Sequence, residues 1–213
     1  VSFSQLQQED SMGLLSLFRK RSPEQIKQEI IGKIVVSSLS FRGTLKDYDN
    51  QRSAAAGAEM LMLLLHLLDR VAFGVLGESS RNAIWDEITR KSCIDYHKAV
   101  LSGNAPPELF ELNVRKTFKE IDDRQRVYSQ CGSLLGEGFP SKGTVLFAFS
   151  HFVHRALGET NRSDVEGVLI GRSDVTTSNA NAFPAFDVII ANATWVGAII
   201  KKIGFEADLK KLA

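Results

Sequence analysis

The stretch Gln51–Leu76 constrains this chain more than any other feature. It is dominated by Ala, Leu and Met, which have high intrinsic helix propensity. On a helical projection, Arg52, Glu59, His66 and Arg70 fall on one narrow stripe, and nearly everything else is apolar. A helix that is hydrophobic most of the way round belongs inside an assembly of other helices. A membrane span is the competing reading for Ala54–Leu76. It contains Glu59, His66, Asp69 and Arg70, and charges are expensive in hydrocarbon. Val188–Ile200 is too short to span a bilayer. The sequence therefore reads as having no transmembrane segment, with Gln51–Leu76 as a central helix.

Punctuation on either side places the other helices. Ser22-Pro23-Glu24-Gln25 combines a cap, a first-turn proline and a capping-box glutamine. Ile26, Ile30, Ile34 and Phe41 follow at near-helical intervals. Gly77 ends the central helix. Ser79 or Ser80 restarts the chain, and Trp85, Ile88, Tyr96 and Ala99 mark an inner face to about Leu101. After the turn Ser102–Pro107, the segment Glu108–Cys131 presents Phe110, Val114, Phe118, Ile121 and Tyr128 inward. Glu120 with Arg124, and Asp122 with Arg126, are spaced for i,i+4 pairing on its wet face. Thr144–Leu157 reads as an amphipathic helix, Ser163–Ile170 as a short helix or turn, and Phe186–Ile203 as a further apolar segment. The expected fold is an all-α array of about six to seven helices packed around Gln51–Leu76. The alternative is an α+β domain in which Thr144–Val153 and Val188–Ile200 are strands. Residues 1–21 read as an amphipathic arm and 22–213 as a single helical domain.

Charge and cysteine use narrow the class of partner. Lys and Arg number 26 against 25 Asp and Glu, a formal net charge of +1. That is not the basic excess on which phosphate neutralisation depends, so nucleic acid is not an expected partner. Cys93 and Cys131 form neither a CxxC pair nor a disulfide framework. They read as free thiols of a reducing compartment. The opening residues are polar and lack an apolar leader. Together these point to a soluble, cytoplasmic protein.

The candidate chemistry is fragmentary. The stripe Arg52, Glu59, His66, Asp69 and Arg70 places a carboxylate and an imidazole on one helix. Such a pair can tune a proton-transfer group, although Glu59 and His66 lie two turns apart and meet only through an intermediary. The alternatives are a wet edge or a buried structural network. His151 and His154 are spaced three apart, and with His66 they are the candidate metal ligands. Their plainer reading is a solvated face beside Ser150 and Arg155. Gly136–Thr144 resembles a phosphate loop, but Ser141 and Gly143 stand where that motif needs glycine and Ser/Thr. Residues 13–21 combine apolar and basic side chains, suiting a packed first helix or weak contact with a membrane surface. Phe147, Phe149 and Phe152, with Phe183, Phe186 and Phe205 later, suit a core or an apolar cavity.

The expected function is accordingly a non-catalytic helical interaction or regulatory module, with a protein partner or self-association. A metal-dependent helical enzyme is one alternative. A carrier of an apolar ligand in a Phe-lined pocket is the other. The residues specify no cofactor.

Overall fold

A computed structural model describes residues 21–101, 105–134, 143–158 and 204–212. Five helices lie among them: α1 (Pro23–Thr44), α2 (Asn50–Val100), α3 (Pro107–Ser129), α4 (Val145–Leu157) and α5 (Phe205–Leu209). The fold is all-α. The α+β alternative fails at Thr144–Val153, which belongs to α4 and its cap. Among the described residues the count is five rather than six or seven, partly because the helices on either side of Gly77 run together with only that residue off helical geometry. The arm 1–21, apart from Arg21, lies outside the described residues, as do Ser163–Ile170 and the Phe186–Ile203 segment.

Side-chain caps start α1, α2 and α4. Ser22 accepts from the Gln25 amide at 3.2 Å, and the Gln25 side chain accepts from the Ser22 amide at 2.8 Å. This is a complete capping box ahead of Pro23. Asp49 caps α2 through the Arg52 amide at 2.8 Å, and Thr144 caps α4 through the Phe147 amide at 3.3 Å. Each cap satisfies an amide that the first turn leaves without a helical partner.

The middle of the first half of α2 is buried on every side. Met60, Leu61, Met62, Leu63, Leu64 and Leu65 are each 2% exposed or less. Full burial of such a side chain contributes about 1.5–3 kcal/mol relative to exposure. The helix packs against α1, α3, α4 and α5, and Ile26, Ile30, Ile34 and Phe41 of α1 supply one wall. By length and composition α2 also contains a stretch apolar enough to cross a membrane, half of which is buried inside this fold.

That stretch does not continue as a straight rod. The Tyr96 hydroxyl donates to the Ala54 carbonyl at 2.7 Å. Arg81 grips both carboxylate oxygens of Asp69. In a continuous helix, residues 54 and 96 would stand about 60 Å apart at 1.5 Å per residue. The two arms of α2 are therefore antiparallel, and the chain reverses at Gly77, where φ is 72° and ψ is 172°. That backbone region is essentially restricted to glycine. Glycine serves a second purpose at Gly57, where a Cβ would stand 2.2 Å from the Tyr96 hydroxyl oxygen.

The small α5 closes one end. Phe205 meets Trp85 edge-on at 6.3 Å. Asp208 receives Arg21 at 2.9 Å, Lys33 at 2.8 Å and Lys211 at 3.2 Å. Burial pushes the Asp208 carboxyl up, but the hydrogen bonds from Lys33 and Lys211 outweigh it and hold the group below its ordinary value.

The contact at Gly57 gives a test of the hairpin. Gly→Ala in an unobstructed helix stabilises by about 1 kcal/mol. Here Gly57→Ala is expected to destabilise by about 1–3 kcal/mol, as overpacking does. The loss should shrink in a Tyr96→Phe background, where the clashing oxygen is gone. A denaturant midpoint that rises in the single variant contradicts the close approach of the two arms.

Candidate functional site

The upper part of the predicted stripe lines a cleft, and the lower part does not. The cleft holds about 970 Å³ and draws on four helices: Arg42 of α1, Arg52 and Tyr96 of α2, Lys116 of α3 and Arg155 of α4. Glu59 reaches it from below. His66, Asp69 and Arg70 lie further along α2 and are not part of its lining. The reversal at Gly77 is what brings Tyr96 and His97 beside Ala54 and Ala58, so that both arms of α2 contribute.

Glu59 is 5% exposed and Arg124 is 4% exposed. Arg124 Nε donates to Glu59 Oε2 at 2.7 Å, and Nη2 donates to Oε1 at 2.5 Å. The guanidinium lies 3.9 Å above the centre of the Phe152 ring. The geometry is a planar fork meeting a carboxylate, with an aromatic face behind it. Burial pushes the Glu59 carboxyl up, against the pull of Arg124. Burial pulls the Arg124 guanidinium down, and its hydrogen bonds to Glu59 more than reverse this. The wet-face reading of Arg124 is thus corrected. It turns inward with Thr117, Ile121 and Tyr128, a 4-3-4 spacing that keeps all four on one helix face. Arg126 pairs with Asp123 rather than Asp122.

The rest of the stripe divides among separate tasks. Arg52 is exposed and lies 3.4 Å from Asp49. Its guanidinium carbon is 3.5 Å from a Cβ built at Gly158, which places it beside the end of α4. Asp69 ties the two arms of α2 together through Arg81, and Arg70 is exposed. His66 is buried, its ring centre 5.2 Å from that of Tyr128. Burial pulls its pKa down, and Arg70 adds to this. Tyr128 packs edge-on to Phe152 at 5.9 Å. A chain of contacts therefore joins Glu59 to His66 through Arg124, Phe152 and Tyr128.

The candidate metal ligands do not assemble. Among the described residues, no group of three or more His, Cys, Asp or Glu side chains is placed to hold a metal ion. His154 is 2% exposed. His151 is half-buried against Phe147, with ring centres 4.7 Å apart, and burial lowers its pKa to about 4. Neither sits on the solvated face expected for them. Phe149 and Phe152 belong to the core. Among the described residues, no phenylalanine lines the cleft. Phe183 and Phe186, and residues 135–142 of the loop resembling a phosphate loop, lie outside the described residues.

Sequence reasoning did not single out the floor of the cleft. His97 Nε2 shares a 2.8 Å hydrogen bond with Thr117 Oγ1, and burial lowers its pKa to about 4. It is neutral at pH 7. Burial also pushes the Tyr96 phenol up, while its hydroxyl is committed to Ala54. Cys93 is fully buried, its thiol pushed up to about 12 by burial.

Comparison with known proteins adds no relative: no family model, curated protein or solved structure matches this chain.

The buried pair supplies a prediction. Glu59→Ala leaves a buried guanidinium without its carboxylate, and should cost about 3–5 kcal/mol of stability. Arg52→Ala, at an exposed ion pair on the same stripe, should cost under about 1 kcal/mol. Chemical denaturation of both variants checks this. Equal costs would contradict the division of the stripe into a buried and a wet half.

Proposed function

We propose that this chain is a non-catalytic helical binding module, of the interaction or regulatory kind, and that its ligand or partner segment seats in the cleft between α1, α2, α3 and α4. The observation that carries the reading is how the cleft's titratable floor is committed. Glu59 is engaged by Arg124 through both oxygens, His97 by Thr117 and Tyr96 by a backbone carbonyl. A general acid or base must reach a reacting proton within hydrogen-bond distance and titrate near working pH. Glu59, Tyr96 and the Nε2 of His97 spend these hydrogen bonds on holding helices together, and burial lowers the His97 pKa to about 4. What remains accessible is a space whose volume falls within the range of small-ligand pockets.

The test uses Ala55, an exposed residue of the lining. Ala55→Trp should fill the cleft while leaving the core untouched. A fractionated cell extract of metabolites and peptides is screened for components that raise the melting temperature, since a ligand selective for the native state stabilises it. The expected result is a component that stabilises the wild type, fails to stabilise Ala55→Trp, and is recovered chemically unchanged. Stabilisation of both proteins alike would place binding elsewhere. Conversion of the component into a product would establish an enzyme instead.

A further inference from the structure

The charges around the cleft are unevenly compensated, and this specifies what it takes. Arg52 has Asp49 at 3.4 Å, and Glu59 has Arg124 beneath it. Among the described residues, no carboxylate lies within ion-pair distance of Arg42, Lys116 or Arg155. Glu120 is the carboxylate of the lining that remains to set against these three cations. They come from three different helices, so they surround the space instead of forming one solvated face. The lining also carries an apolar part, from Ala54, Ala58, Val100, Leu101 and Leu109, beside polar side chains such as Gln51, Asn113 and Thr117. Leu109 is 44% exposed at this edge. A bare inorganic anion would use the cations and leave that surface wet. A neutral apolar molecule would cover the surface and bury cations without a counter-charge, which is costly.

We propose that the cleft binds an organic anion, an acidic head group carried on an apolar body, with Arg42, Lys116 and Arg155 receiving the head and the alanine and leucine surface receiving the body. This rests on the cleft being the binding site proposed above and adds the ligand's chemical class. Arginine forks and lysine ammonium groups both form charge-assisted hydrogen bonds to carboxylate and phosphate oxygens.

The probes are 8-anilinonaphthalene-1-sulfonate, an acidic head on an aromatic body, and N-phenyl-1-naphthylamine, the same body without the head. Fluorescence titration of the full chain should give one sulfonate-probe site per chain, with the neutral probe at least about tenfold weaker. That factor corresponds to the loss of one charge-assisted hydrogen bond. Lys116→Gln/Arg155→Gln should weaken the sulfonate probe by about tenfold or more, and Lys116→Arg/Arg155→Lys should restore it. Lys98→Gln, an exposed cation outside the lining, should change nothing. If the double variant melts below the wild type, Lys116→Gln alone gives the same reading, because Lys116 is exposed. Octanoate and octyl phosphate then compete for the site. Displacement by either supports the proposal, and their ranking separates a carboxylate from a phosphate head. Equal affinity for the charged and neutral probes, no effect of the Gln variants, or displacement by neither competitor overturns it. If an extract component is still lost on Ala55→Trp while these arms fail, the cleft remains the binding site and only the ligand class is wrong.

Discussion

The reversal of α2 at Gly77 is the constraint on which the rest of the molecule depends. A left-handed glycine lets an apolar rod fold back before it has run out of helix-forming sequence. The first arm then becomes the centre of the assembly, and the second arm becomes one of the surfaces that cover it. Tyr96 is returned to Ala54 and Gly57, and His97 to Thr117 in the middle of α3. Without that return, Met60–Leu65 would lack one of the faces that bury it. The cleft would also lose Tyr96, His97, Val100 and Leu101.

The first arm meets α3 along a seam that is polar where its neighbours are apolar. A buried ion pair is not a strong source of net stability, because desolvation offsets much of the attraction. Its consequence here is geometric. The Arg124 fork donates to both Glu59 oxygens in one register of the two helices, and Phe152 packs against the face of the fork. That register sets Thr117 against His97 and so fixes the floor of the cleft. The cations at the rim are then presented by helices whose mutual positions are already determined. Binding groups on such supports lose little freedom when a ligand arrives.

How much of this is legible in the sequence depends on the range of the interaction. The cap at Ser22, the break at Gly77 and the interior character of Gln51–Leu76 are local properties, and each appears where the residues place it. The partner of Glu59 is 65 residues away, and a nearer carboxylate, Glu120, sits at ideal helical spacing from Arg124. Local pairing gave the wrong partner there. The spacing Thr117–Ile121–Arg124–Tyr128 carried the better signal, since it places the arginine on the face that holds the isoleucine and tyrosine. The cleft was not legible at all. Arg42, Lys116 and Arg155 have no common spacing, and only the packing of separate helices makes them neighbours. The histidines misled for a related reason: a sequence interval of three fixes a shared helix face, but not whether that face meets water or core.

The distance between the two arms of α2 tests the account most directly. Ala55 and Lys98 are both exposed and lie on opposite sides of Gly77. Spin labels at Ala55→Cys and Lys98→Cys, in a Cys93→Ala/Cys131→Ala background, report their separation by pulsed electron resonance. Packed antiparallel helices lie about 8–10 Å apart axis to axis, so with the label arms the expected separation is below about 25 Å. A distribution centred near about 60 Å, the span of a continuous helix over this interval, would contradict the reversal and with it the cleft.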